Sequence, residues 1–239
     1  LSVGEVNTGS EQDFMTPADE KMRDFVFPRW LNTARPLLTV LAVGAGLFMV
    51  VLIAYGLSPD TLAVGYAPKQ PIEYSHAMHA GELGIDCRYC HNTVEKAAHA
   101  AIPTSQTCMN CHGTIRTKSH KIMPLLEKDA ANRPIEWVRV HNLPRFVYFD
   151  HSVHVNRGVA CVSCHGRVDK MDIVQQEKSL SMGWCLSCHR NPDAHLRPPE
   201  FVTKMDWVPP AGQDPAEYGK KLRADLRINP PTDCSACHR

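Results

Sequence analysis

Five short segments place two cysteines three positions apart and a histidine directly after the second. They are Cys87, Cys90 and His91; Cys108, Cys111 and His112; Cys161, Cys164 and His165; Cys185, Cys188 and His189; and Cys234, Cys237 and His238. Together they use all ten cysteines of the 239-residue chain. C-x-x-C-H is the spacing that covalent attachment of a c-type haem requires. Two thiols add across the two vinyl groups on one side of a porphyrin, and the adjacent imidazole reaches the iron as its proximal ligand. Other chemistries fit less well. A zinc site would pair C-x-x-C units with each other or with H-x₃₋₅-H, and would not need His after every second Cys. A redox dithiol would be a single unit in a βαβ pattern. A disulfide framework would leave the following residue free to vary. Five motifs out of five ending in His predict five covalently bound haem c groups, with His91, His112, His165, His189 and His238 as proximal iron ligands.

Composition agrees. The formal net charge is +1 and no long basic run occurs, so nothing argues for a nucleic-acid partner. Aromatic residues are only 7%, too few to build a large protein core. Porphyrins would supply the missing apolar surface, with the peptide as a thin, turn-rich wrapping. The expected fold class is mainly α and irregular: one N-terminal transmembrane helix, then a multihaem cytochrome c domain of low secondary-structure content. Five of the thirteen histidines belong to the motifs, which leaves eight to explain.

The elements that must position these residues follow in order. Residues 1–35 read as a cytoplasmic or interfacial arm, polar to about Glu20, then mixing Lys21, Arg23, Arg29 and Arg35 with Phe25, Phe27 and Trp30, a composition suited to a headgroup zone. The first residue is Leu1 rather than Met, so a processed or trimmed start is expected. Residues 36–57 hold no charge and match the ~20 residues that cross a bilayer core. Pro36 suits a helix first turn, and Tyr55 the far interface. A cleaved signal peptide would have a shorter apolar region nearer the N-terminus. The upstream basic residues predict a cytoplasmic N-terminus, a single pass through a bacterial inner membrane and a periplasmic haem domain. Residues 58–70 form a Pro- and Gly-punctuated linker, and 71–239 the haem domain.

Within that domain Tyr74-Ser75-His76-Ala77-Met78-His79 precedes Cys87, and Phe149-Asp150-His151-Ser152-Val153-His154 precedes Cys161. Each is an aromatic-x-H-x-x-H element followed by two C-x-x-C-H motifs, which predicts a duplicated two-haem module over 71–123 and 146–197, with the fifth motif alone at 234–238. Between the modules, Pro124 to Lys128 reads as a short helix. Residues 197–233 hold seven of the eighteen prolines and read as an extended strap. Inside it Asp214-Pro215 marks a helix start. Tyr218, Leu222 and Leu226 share one stripe, and Lys220, Lys221 and Arg223 read as a solvated face.

Each iron has a second axial position, filled by His or Met in electron-transfer haems. His76, His79, His151 and His154 are the expected distal ligands, since residues three apart on a helical turn point to one side. The fifth distal ligand is open: His141 comes first, His99 and His195 are rivals, His120 ranks lower, and Met182 would raise that haem's potential.

The aromatic-x-H-x-x-H element ahead of C-x-x-C-H resembles the multihaem cytochromes of the c₃ and c₇ group. That resemblance implies that His76 serves the haem of His91, His79 that of His112, His151 that of His165 and His154 that of His189. The anchor, the two-plus-two-plus-one layout and stretches such as Thr107-Cys108-Met109-Asn110-Cys111-His112 and Met182-Gly183-Trp184-Cys185 resemble the pentahaem cytochrome subunits of bacterial alternative complex III. This second resemblance implies a quinol-oxidising respiratory complex with iron–sulfur and quinol-oxidising partner subunits. The chain would relay electrons to a monohaem cytochrome c, a copper protein or a terminal oxidase, without substrate chemistry of its own. Because the sequence stops just after the fifth motif, a partner is expected to cover that haem. Two alternatives stand beside the relay. A multihaem reductase would need one iron with an open position, whereas all five motifs here end in His. A stand-alone quinol dehydrogenase of the tetrahaem type would carry four motifs.

If porphyrin is the interior, stripping the haem should leave residues 71–239 largely unfolded. Circular dichroism of the apo-chain during heating tests this, and a cooperative melt would contradict it.

Overall fold

A computed structural model describes residues 28–238. The chain divides after Tyr55 into two compact units. Helix α1 spans Arg29–Gly56, 28 residues. At about 1.5 Å per residue it rises about 42 Å, more than the ~30 Å of a bilayer core. Its mean hydropathy reaches 2.7 and none of its residues is buried. The helix starts seven residues before Pro36, so Pro36 lies inside it and not in the first turn. The cause is local: Leu31 N donates to Pro28 O at 2.9 Å, and residues 29–35 already hold helical geometry. Proline lacks the N–H that would bond one turn back, and one turn on the Thr39 hydroxyl adds a bond to Arg35 O at 2.9 Å. The expected polar arm, with Lys21, Arg23, Phe25 and Phe27, lies outside the described residues.

The second unit is a string of helical turns. These are α2 (Pro59–Leu62), a π-helical turn (Ala77–Glu82), α3 (Cys87–Cys90), α4 (Ser105–His112), α5 (Met123–Ala130), α6 (His151–Val155), α7 (Cys161–His165), α8 (Met182–Arg190), α9 (Pro215–Asp225) and α10 (Cys234–Cys237). Short 3₁₀ turns cover Val168–Lys170, Asp193–His195 and Pro199–Phe201. Among the described residues β structure is limited to isolated bridges, Val147 with His238 and Val159 with Leu196. The fold is thus mainly helical and irregular, with an apolar N-terminal helix.

Buried apolar side chains among the described residues are Ile72, Leu125, Val155, Ala160, Leu196 and Val202. Six such groups cannot offset the chain entropy of a unit this long. Meanwhile Phe146, Val153 and Met182 are more than half exposed, and Tyr89 about half. Polar ties between segments do much of the holding. The stretch read as a linker carries α2 and is then pinned, with Gly65 N bonding Gln176 O and Gln176 N bonding Tyr66 O. The Gln70 side chain donates to Val138 O and accepts from Val138 N, both at 2.9 Å. The helix at Pro124 forms with Leu125 buried, and its Asp129 accepts from Ser105 and Gln106, tying α5 to α4.

The strap contains α9 where Asp214-Pro215 marks its start: the Asp214 carboxylate accepts from Ala216 N and Glu217 N. Helix α9 packs against the 193–195 turn. Gly219 is buried there, and a Cβ on it would overlap the Asp193 carbonyl. Arg223 departs from the solvated reading. Its guanidinium bonds Ile228 O at 3.3 Å, just past the end of α9, and reaches Asp193 at 3.5 Å in the turn under the helix. Lys220 and Lys221 are exposed as expected.

Gly219→Ala should force α9 off the turn and cost about 1–3 kcal/mol, the usual range for overpacking. A thermal melt of the haem-loaded protein reads this as a lowered midpoint, and an unchanged midpoint would refute the tight packing.

Candidate functional site

Every C-x-x-C-H motif sits on a helical turn: α3, α4, α7, α8 and α10. Helical spacing of three brings both thiols to one side of the turn, and none of the ten is in a disulfide. Caps explain why the turns start where they do. Asp86, Ser181 and Asp233 place side-chain oxygens on backbone N–H groups at the heads of α3, α8 and α10.

The H-x-x-H elements are helical too, and the two copies match closely. Tyr74 meets His76 edge-on at 4.8 Å and stacks on His79 at 4.4 Å. Phe149 meets His151 edge-on at 4.7 Å and lies over His154 at 4.6 Å. The second His of each pair donates from Nδ1 to the carbonyl four residues back, Ser75 O or Asp150 O, both at 2.7 Å.

That bond recurs across the domain. His91 Nδ1 donates to Ala101 O (2.8 Å), His112 to Ile115 O (3.1 Å), His151 to Ala98 O (2.8 Å), His189 to Pro231 O (2.6 Å) and His238 to Phe146 O (3.3 Å). A carbonyl can only accept, so the proton sits on Nδ1 and the Nε2 lone pair is left free. This is the tautomer a metal-bound imidazole holds.

Opposed rings follow. His79 and His112 have centroids 6.2 Å apart, His151 and His165 6.4 Å apart with only 10° between planes, and His154 and His189 6.1 Å apart. An ion bound on both sides by imidazole nitrogens at about 2 Å sets ring centroids roughly 6 Å apart. The residues therefore fit an iron between each pair. Two buried ring nitrogens have no partner, His76 Nδ1 and His141 Nε2. His141 lies edge-on to His165 at 4.5 Å, too close for one metal to sit between them. His151, not His141, holds the opposed position to His165. His99, His120, His195 and Met182 are exposed.

Burial keeps the central rings neutral. His165 is pushed down to about 3 by burial, then by His141, His151, His91 and His76. His76 falls to about 4 through burial, then His91 and His79. Burial likewise lowers His141 and His154. The thiols also have neighbours across motifs. Cys87 and Cys161 share a hydrogen bond, which lowers the first and raises the second. Burial, then Cys188 and Cys185, raises Cys164 to about 11. Burial, then Cys237, raises Cys185.

One polar cluster had no sequence signal. Asp86 takes Arg88 in a paired contact at 2.9 and 3.1 Å and accepts from the Thr203 hydroxyl at 2.9 Å. This fixes α3 to the strap. The Arg88 hydrogen bond foremost holds the Asp86 carboxyl down to about 2.

Residues 147–239 match the family model described as cytochrome c7 and related cytochrome c. Over 175 residues the chain is 24% identical to a curated protein of Nitratidesulfovibrio vulgaris (strain Hildenborough), the multihaem cytochrome c subunit of menaquinone reductase, covering 63% of this chain and 80% of that one.

A carboxyl with a depressed pKa stabilises the fold above its unfolded value, about 4, and loses that contribution as pH falls towards its folded value. Thermal midpoints of wild type and Asp86→Asn should therefore converge as pH drops from about 4 to about 2. A constant gap across that window would remove Asp86 as the cause.

Proposed function

We propose, from the premise of a multihaem c-type cytochrome with covalently bound haem, that all five motifs carry haem and that the chain is a membrane-anchored electron relay. The observation that carries this reading is a set of three imidazole pairs 6.1 to 6.4 Å apart, with Nδ1 tied to a backbone carbonyl in every ring of the three but His165. At these three sites two imidazoles for one iron would leave no position for a substrate, which suits electron transfer and not reduction of a small molecule. Bound haem c supplies one-electron chemistry between ferric and ferrous iron.

The chain's own residues do the rest. Cys87, Cys90, Cys108, Cys111, Cys161, Cys164, Cys185, Cys188, Cys234 and Cys237 form the thioethers. His91, His112, His165, His189 and His238 would hold the irons as the motif histidines. His76, His79, His151 and His154 would supply the second imidazole, in the pairing with His91, His112, His165 and His189. His141 carries a buried Nε2 without a protein partner, but its ring lies against His165 at 4.5 Å, so it is not assigned to the remaining distal site at His238. Tyr74 and Phe149 hold their histidine pairs by ring contact, so each ligand keeps its orientation when charge at the iron changes. Low reorganisation of this kind favours fast transfer.

Helix α1 anchors the relay in the membrane, with the N-terminus cytoplasmic and the haem domain periplasmic, in keeping with the basic residues before residue 36. A relative named as a menaquinone reductase subunit supports a place in a quinone-linked membrane complex. The finer reading is the pentahaem subunit of alternative complex III. It would pass electrons from quinol-oxidising and iron–sulfur subunits to a monohaem cytochrome c or an oxidase.

A pyridine haemochrome assay of the purified chain should return five haem equivalents and optical spectra should show low-spin iron throughout. One high-spin haem in five would favour the reductase. His151→Ala, and separately His76→Ala, should each create one high-spin, CO-binding haem without loss of covalent attachment. Spectra identical to the parent would strike that residue from the ligands.

A further inference from the structure

Motif number along the chain need not equal order in space, and contacts between motifs indicate a different order. Motif 108–112 touches motif 87–91, where Asn110 Nδ2 donates to Tyr89 Oη at 3.0 Å. The single turn bearing His76 and His79 serves both, with His79 opposed to His112 and His76 within electrostatic reach of His91.

On its other flank motif 87–91 meets motif 161–165. Cys161 N donates to Val202 O at 3.1 Å, and Cys87 Sγ reaches the next carbonyl, Thr203 O, at 4.0 Å. Consecutive carbonyls of the strap thus hold the first cysteines of both motifs side by side. His151, opposed to His165, donates from both its backbone N and Nδ1 to Ala98 O in the loop leaving His91. Asn156 Nδ2 adds a bond to Glu95 O in the same loop at 2.9 Å.

Motif 161–165 is joined to motif 185–189 by α6, whose His151 and His154 oppose His165 and His189. Motif 185–189 then meets the last motif. His189 Nδ1 bonds Pro231 O, just ahead of Cys234. Tyr148 N bonds Cys237 O at 2.8 Å, next to the Phe149 that lies over His154. The exposed cysteines are Cys111 and Cys234, and the other eight are half-buried.

We infer that the five attachment sites stand in single file in the order 108–112, 87–91, 161–165, 185–189, 234–238, with the second motif and the fifth at the two ends. The inference rests on the reading that all five motifs carry haem. It places the first motif in the interior, because the duplicated modules join through 87–91 and 161–165. It also makes the His112 and His238 ends the points where electrons enter and leave.

Iron positions from anomalous scattering on crystals of the haem-loaded chain test the order. The iron at His91 should have two near neighbours, at His112 and His165, and the irons at His112 and His238 one each. An iron at His112 lying nearest that of His165, or an iron at His238 next to that of His91, overturns it. In solution, His79→Gly and His151→Gly each place a high-spin label on one site. Electron paramagnetic resonance should show the His151→Gly label saturating at higher microwave power, since an interior site has two ferric neighbours and an end site one. Equal or reversed saturation overturns the order. A haemochrome count on the same samples separates the two levels. Five equivalents with another neighbour pattern defeats the order alone, and fewer than five in the parent chain defeats the reading beneath it.

Discussion

The bond on which this molecule depends is a short one, from a histidine Nδ1 to a backbone carbonyl. Seven rings make it: His79, His91, His112, His151, His154, His189 and His238. It fixes the tautomer, aims Nε2 away from the backbone and spends a carbonyl that irregular chain would otherwise leave without a partner. A domain with so few buried apolar side chains cannot position rings by packing alone. It positions them by hydrogen bonds to peptide groups that are themselves held by short helical turns. The opposed rings then follow from where those turns sit.

The duplication shows how little is needed to repeat the device. In each copy an aromatic ring, a capping side chain and two histidines occupy one turn. Ser75 accepts from Met78 N through its hydroxyl, and Asp150 accepts from Ser152 N through its carboxylate. The caps differ in chemistry but produce the same result, and the ring contacts agree to within 0.2 Å (4.8 and 4.7 Å; 4.4 and 4.6 Å). One turn facing two motifs also sets the spacing between them, since three residues of helix are a rigid ruler.

Much of this was legible in residue types. The five motifs, the aromatic-x-H-x-x-H elements, the helix at Pro124 and the Asp214-Pro215 start all rest on local spacing, and local spacing is what helical turns obey. The acceptors were not legible. Ala98, Ala101 and Pro231 act through carbonyls, which every residue possesses, so no side chain marks them. Pro36 was misjudged because the helix already begins at Arg29, and no residue type in that mixed stretch marks the earlier start. Arg223 was misjudged because its partners, a carboxylate 30 residues earlier and the backbone carbonyl of Ile228, leave no mark in the helical stripe. The position of His141 against His165 depends on how a long irregular segment returns, and periodicity says nothing of that.

The link between Cys87 and Thr203 spans 116 residues. Synthesis runs from the N-terminus, so the first motif exists long before the strap that closes over it. Until residue 203 has been made, the neighbourhood of Cys87 stays open on that side, and the thiols remain within reach of whatever machinery joins them to porphyrin. Closure of so distant a contact is slow by comparison with the formation of a helical turn. The long return of the chain therefore leaves Cys87 open on the side of residue 203 until that part of the strap has emerged.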